Sequence, residues 1–180
     1  MNTWIALLRG INVGGRNVLK MKGLVVLLQG IGYMESKTYL RSGNAVFKSA
    51  ESSAVEIGTT IESALREIRG VEASVLVFGK EELKQAIASN PFPQAKEDPS
   101  TLHLFFLSEP PQSPDMESLT TYEADSESFV LTGKVFYLHA PDGFGRSKLA
   151  VRVERLLGVD ATARNWRTVS KVLEMANNLD

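Results

Sequence analysis

Cysteine is absent from the 180 residues. That removes disulfides, thiolate nucleophiles and cysteine metal sites together. Histidine is scarce as well, with only His103 and His139, so a zinc cluster is not expected. No stretch approaches the roughly 20 apolar residues of a membrane helix. The first apolar run is broken at Arg9, so no signal peptide is expected, and a cytoplasmic protein without a membrane partner follows. The nucleotide fingerprints are missing too. GINVGG is not G-x-G-x-x-G, and G-x-x-x-x-G-K-[ST] occurs nowhere, so no cofactor is indicated.

What is present is ordinary globular material, 43% apolar and 23% charged, in a chain long enough to bury a core. The net charge of −1 conceals an uneven distribution. Residues 1–48 hold Arg9, Arg16, Lys20, Lys22, Lys37, Arg41 and Lys48 against Glu35 alone. Residues 71–145 are acidic, and residues 146–180 are basic again. Such asymmetry can mark a face for anionic partners.

Periodicity gives the element order. Residues 4–8 read as a buried strand, and Leu24, Leu27, Leu28 and Ile31 place an amphipathic helix over about 20–31. Residues 36–41 and 44–49 form two strands joined at Ser42-Gly43. Ser53 with Glu56 is a capping-box signature that opens a helix ending at Gly70, and residues 75–78 complete β-α-β-β-α-β, the ferredoxin-like split unit. A short helix near 80–89 leads into a connector. Six of the seven prolines lie between Pro91 and Pro114, so the boundary belongs there.

The order then repeats. Strands are expected at 102–107, 129–131, 135–138 and 159–163, with helices at 114–119 and 147–157 and a final helix over about 165–178. The reading is α+β, with two ferredoxin-like halves. One spans 1–79 and the other 101–180, with a helix and Pro-rich connector at 80–100 and an added C-terminal helix.

Helix N-termini favour acids and disfavour cations. The helices near Ser53, Lys80 and Ser113 conform, with Glu56, Glu81/Glu82 and Asp115/Glu117 in their first turns. Three others do not. One begins among Arg16, Lys20 and Lys22, one after DGFG with Arg146 and Lys148, and one inside ATARNWR with Arg164 and Arg167. Backbone N–H groups, a helix dipole and a Lys or Arg are the parts of a phosphate site. A solvated basic face is the plain alternative for the last two helices, and a conformational glycine loop for Gly14-Gly15.

Other constellations are weaker. Lys37, Tyr39 and Arg41 alternate onto one strand face and could hold a nucleotide, as could any amphipathic strand. Arg41–Lys48 is a poor match to an RNA-recognition signature. His139, Asp142 and Ser147 are the only local hydroxyl, imidazole and carboxylate set, and they lack a nucleophile-elbow context.

LLRGINVGGRNVLKM, TYLRSGNAVF, GFGRSKL and LLGVDATARNWRTVSKVLE, in that order, resemble the bacterial domain of unknown function 1697 family. The resemblance implies an α+β protein of two ferredoxin-like halves and implies no particular activity. It carries a motif set: Arg9, Gly10, Asn12, Gly14 and Gly15, then Ser42, Gly43 and Asn44, then Gly145, Arg146, Ser147 and Lys148, then Arg164, Asn165 and Trp166.

The expectation is a protein binding a phosphorylated or otherwise anionic small molecule, with a nucleotide as one possibility. Arg9, Arg16, Lys20, Arg41, Arg146, Lys148, Arg164 and Arg167 are the charge donors. Gly14 and Gly15 allow close backbone approach, while Asn12, Ser42, Asn44, Ser147 and Asn165 add directional hydrogen bonds. Nucleic-acid binding, and phosphoryl or acyl transfer in the same pocket, are the alternatives.

Overall fold

The computed structural model describes residues 1–179. The chain divides into two compact units, Met1–Gln85 with Ser170–Asp180, and Ala86–Val169. Each is built on a four-stranded antiparallel sheet.

In the first unit, β1 (Asn2–Arg9), β2 (Met34–Tyr39), β3 (Asn44–Ser49) and β4 (Ser74–Gly79) lie in the order β2-β3-β1-β4. β1 is hydrogen-bonded on both sides, to β3 and β4, so a near-continuous apolar sequence suits it. Side chains alternate across a strand. Trp4, Ala6 and Leu8 therefore share one face, packed with Ala45, Phe47 and Val77. Ile5 and Leu7 turn the other way and are buried too.

The first face is covered by α1 (Met21–Gly30) and α2 (Ala54–Arg69). α1 supplies Leu24, Leu27 and Leu28 to this core, and α2 supplies Ile57, Ile61 and Leu65. α2 starts as its sequence requires. The Ser53 hydroxyl accepts the Glu56 N–H at 3.2 Å, and the helix stops where Gly70 adopts a φ of 61°, the left-handed cap that glycine takes without a Cβ penalty.

The second unit repeats the plan. β5 (Leu102–Leu107), β6 (Ser128–Thr132), β7 (Val135–His139) and β8 (Ala161–Asn165) lie in the order β6-β7-β5-β8. β5 is again the central strand flanked by two antiparallel partners. Phe105, Leu107, Phe136 and Leu138 form a core with Leu119 of α4 (Met116–Tyr122) and with Val153, Leu156 and Leu157 of α5 (Val153–Leu157). Asp115 caps α4, accepting the Ser118 N–H at 2.9 Å. That bond holds the carboxyl below its ordinary range. The Tyr137 hydroxyl donates to the Ala86 carbonyl at 2.8 Å.

Two helices pass from one unit into the other. α3 (Lys80–Ala88) contains the boundary after Gln85, and α6 (Trp166–Asn177) contains the boundary before Ser170. Both halves are therefore β-α-β-β-α-β arrangements, with α6 following the last strand.

Two local expectations need correction. β2 ends at Tyr39, which places Arg41 in the turn beyond it rather than on a strand face. The helix expected over 147–157 is only Val153–Leu157, preceded by a single 3-10 turn at Phe144–Arg146. Between them the Ser147 hydroxyl accepts the Ala150 N–H, and the Arg152 guanidinium donates to the Lys148 carbonyl. Arg146 and Lys148 thus precede α5 rather than open it, and its first turn carries Glu154. No helix among the described residues is long and apolar enough to cross a membrane.

Candidate functional site

The segment after β1 is a small hairpin rather than an open phosphate loop. Val13 and Arg16 bridge, with the Arg16 N–H donating to the Val13 carbonyl at 3.0 Å. Gly14 and Gly15 form the tip with φ values of 57° and 75°, the pair of positive angles a type I′ turn demands. Asn12 and Asn17 face each other below the tip, joined by the Asn12 N–H to the Asn17 carbonyl at 3.0 Å.

Both asparagines brace the loop. The Asn12 amide donates to the Leu19 carbonyl at 2.9 Å and the Arg41 carbonyl at 2.8 Å, and its oxygen accepts the Leu19 N–H at 2.8 Å. Asn17 donates to the carbonyls of Gly10 and Glu72. The role of Asn17 was missed in the sequence, yet a signal exists. The two asparagines sit symmetrically about Gly14-Gly15, and asparagine tolerates positive φ better than most residues.

The bond from Asn12 to Arg41 also brings the first two motifs together. Leu8 donates to the Gly43 carbonyl at 2.8 Å. Gly43 has a φ of 82°, and a Cβ there would lie 2.7 Å from both Leu8 Cβ and Ile11 Cδ1. Only glycine lets the β2–β3 turn close on β1 in this way. Asn44 is buried, donating to the Tyr39 carbonyl and the Ser42 hydroxyl. The result is one end of the first sheet that carries Arg9, Arg16, Lys20, Arg41 and Ser42. Arg16, Lys20 and Arg41 are exposed there, and Arg9 is half-buried. α1 begins at this end with Lys20 as its N-cap residue, no side-chain cap and no acid in its first turn.

The last two motifs meet in the second unit. His103 pairs with Asn165 across β5 and β8, and its ring stacks on Phe144 at 3.7 Å between centroids. Phe144 belongs to the turn that holds Arg146. Asn165 caps α6, its oxygen accepting the Thr168 N–H at 2.9 Å. Arg146, Lys148 and Arg167 are exposed, whereas Ser147 is buried.

Arg164 pairs with Leu104, so alternation puts it on the opposite face from His103. Its guanidinium donates to the Ala163 carbonyl at 2.8 Å. Burial lowers its pKa to about 10, which still leaves it charged at neutral pH. Burial also pulls His103 down to about 4, and its Nδ1 has no hydrogen-bond partner.

The suspected acid–base set is not assembled. Asp142 accepts from the Ser126 hydroxyl at 2.6 Å, Ser147 accepts from Ala150, and His139 stacks on Phe92. Among the described residues there is also no group of three or more His, Asp or Glu that could hold a metal ion.

Comparison with known proteins supports the fold and the family. No curated protein matches the chain. Among solved structures, the conserved bacterial protein SP0830 from Streptococcus pneumoniae is similar, with a TM-score of 0.72 and 21% identity over 97% of this chain and 98% of that one. At that identity the likeness shows the fold alone. GFGRSKL and ATARNW lie beyond residue 137, but both first-unit motifs fall inside the family match. The model of the family described as protein of unknown function (DUF1697) covers residues 1–137, and the chain belongs to that family.

Proposed function

We propose that the motif end of the first unit binds a small anionic ligand, most simply one bearing a phosphate. The observation that carries this reading is the start of α1. α2 opens with a serine cap and Glu56, and α3 opens with Glu81 and Glu82. α1 has neither cap nor acid, and residues 1–34 contain no acid at all. A helix start without a negative group is stabilised by an external anion. Arg9, Arg16, Lys20 and Arg41 are the charge donors at this end. Gly14 and Gly15 keep the hairpin tip narrow, and Asn12 and Asn44 hold the scaffold through bonds to the protein itself. In the second unit the same reading makes Arg146, Lys148 and Arg167 the donors, with Arg164 behind the sheet.

A thermal-shift panel of inorganic phosphate, nucleotides and sugar phosphates tests the proposal. At least one member is expected to raise the melting temperature, with the shift lost in Arg16→Ala or Lys20→Ala. No shift with any member would refute it. Steeply salt-dependent binding of a short RNA without any small-anion effect would favour the nucleic-acid alternative. Turnover of a phosphate or acyl ester would favour the enzyme.

A further inference from the structure

An open sheet ends in two edge strands, and the unpaired backbone groups of an edge invite another strand. Three of the four edge strands here are guarded by the chain's own residues. On β4 the outward N–H groups of Val75 and Gly79 are taken by the carboxylates of Glu62 and Glu82, both at 2.8 Å. On β8 the outward carbonyl of Ala163 accepts from the Arg164 guanidinium. On β2 a register shift between Met34 and Lys37 interrupts the ladder, where Glu35 and Lys37 also place charges.

The edge of β6 has no such guard. The Leu107 N–H donates to the Lys134 carbonyl. Alternation along β7 then directs Phe136 and Leu138 to β5, and Val135, Tyr137 and His139 to β6. The β6 residues opposite Phe136 and Leu138 are Leu131 and Phe129. Their N–H and C=O groups therefore point away from β7, and none of the described residues meets them. Ser128-Phe129-Val130-Leu131-Thr132 holds no charge, proline or glycine that would discourage pairing.

We infer that β6 joins two copies of this chain, paired antiparallel about a two-fold axis at Val130. The segment is self-complementary in that register, the only one that overlaps all of its residues. Phe129 of each copy lies opposite Leu131 of the other, and the two exchange a pair of backbone hydrogen bonds because both present their groups outward. Val130 meets Val130 at the axis, and Ser128 meets Thr132. A shift of one residue would set these outward groups against groups already bonded to β7. Lys134, exposed in the turn after β6, comes beside the turn of the second copy that carries Asp125 and Glu127, so the charges are complementary. One continuous sheet then runs through both copies.

Ser128 and Thr132 are exposed, so charges placed there act on the pairing and not on the core. Sedimentation velocity over a micromolar to millimolar series compares the wild type with two double variants. Ser128→Glu with Thr132→Glu sets like charges opposite one another at both ends of the contact. Ser128→Lys with Thr132→Glu sets opposite charges there. The wild type is expected to pass from monomer to dimer as concentration rises, and the Glu/Glu variant to dimerise about tenfold more weakly than the Lys/Glu variant. Amide hydrogen exchange of the wild type decides the matter if a variant fails to fold. Phe129 and Leu131 should exchange more slowly once the dimer forms, while Val130, already bonded to β7, stays unchanged. A monomer at every concentration overturns the inference and leaves the edge to a strand of another protein. A dimer that the two variants do not distinguish, or that forms without slowing Phe129 and Leu131, overturns it as well.

Discussion

Replacing His103 by phenylalanine should remove a pH dependence from the stability of the second unit. The imidazole lies against Phe144, and its Nδ1 has no hydrogen-bond partner. Burial therefore holds its pKa at about 4, against 6.5 when unperturbed. The folded value is the lower one, so between the two the unfolded chain binds more protons and stability rises with pH. The contribution is complete above about pH 6.5 and is lost as pH falls toward 4. Each pH unit between those two values is worth about 1.4 kcal/mol, so the loss between pH 8 and pH 5 comes to about 2 kcal/mol.

His103→Phe keeps an aromatic ring on Phe144 and binds no proton. Trp4→Phe, made in both proteins, leaves Trp166 as the sole tryptophan, and Trp166 lies in the second unit. Urea unfolding followed by its fluorescence at pH 8 and pH 5 gives the two stabilities, and the carboxylates common to both proteins cancel in the difference. The wild-type advantage should shrink by about 2 kcal/mol at the lower pH. Parallel losses in the two proteins would refute the burial argument.

Gly43→Ala combines an unfavourable backbone angle with a Cβ 2.7 Å from Leu8 Cβ. It should lower stability by about 3 kcal/mol, whereas Gly14→Ala, with open space around it, should lose only about 1 kcal/mol. Equal urea midpoints for the two would disprove the close approach. Asn12→Ala deletes three hydrogen bonds and should cost about 2–3 kcal/mol, with faster hydrogen exchange at the Leu19 amide as the local readout. Asn165→Ala removes the α6 cap and should cost about 1 kcal/mol in chemical denaturation; an unchanged midpoint would deny it that role.

The repeated element order was legible because strand alternation and capping chemistry are local. Ser53, Glu56 and Gly70 mark both ends of α2 without any tertiary information. Residues 147–157 show the limit of that method. Leu149, Val153, Leu156 and Leu157 are all buried, as their helical spacing suggested. The spacing identified which side chains enter the core and did not establish a continuous helix, since a turn closed by Ser147 buries the same residues.

The candidate site was legible as charge but not as hydrogen bonding. A cation near a glycine pair is visible in sequence. An asparagine reads the same whether its amide meets a ligand or a backbone carbonyl, and Asn12, Asn44 and Asn165 all turned to the backbone.

The two boundary-crossing helices have a consequence for synthesis. The second unit is one unbroken stretch of chain, whereas the first also includes the segment from Ser170 onward. A ribosome moving from the N-terminus therefore delivers everything the second unit requires before it delivers the last piece of the first. The usual order has the leading domain complete first; here the segment that joins the first unit from α6 is made only after the entire second unit.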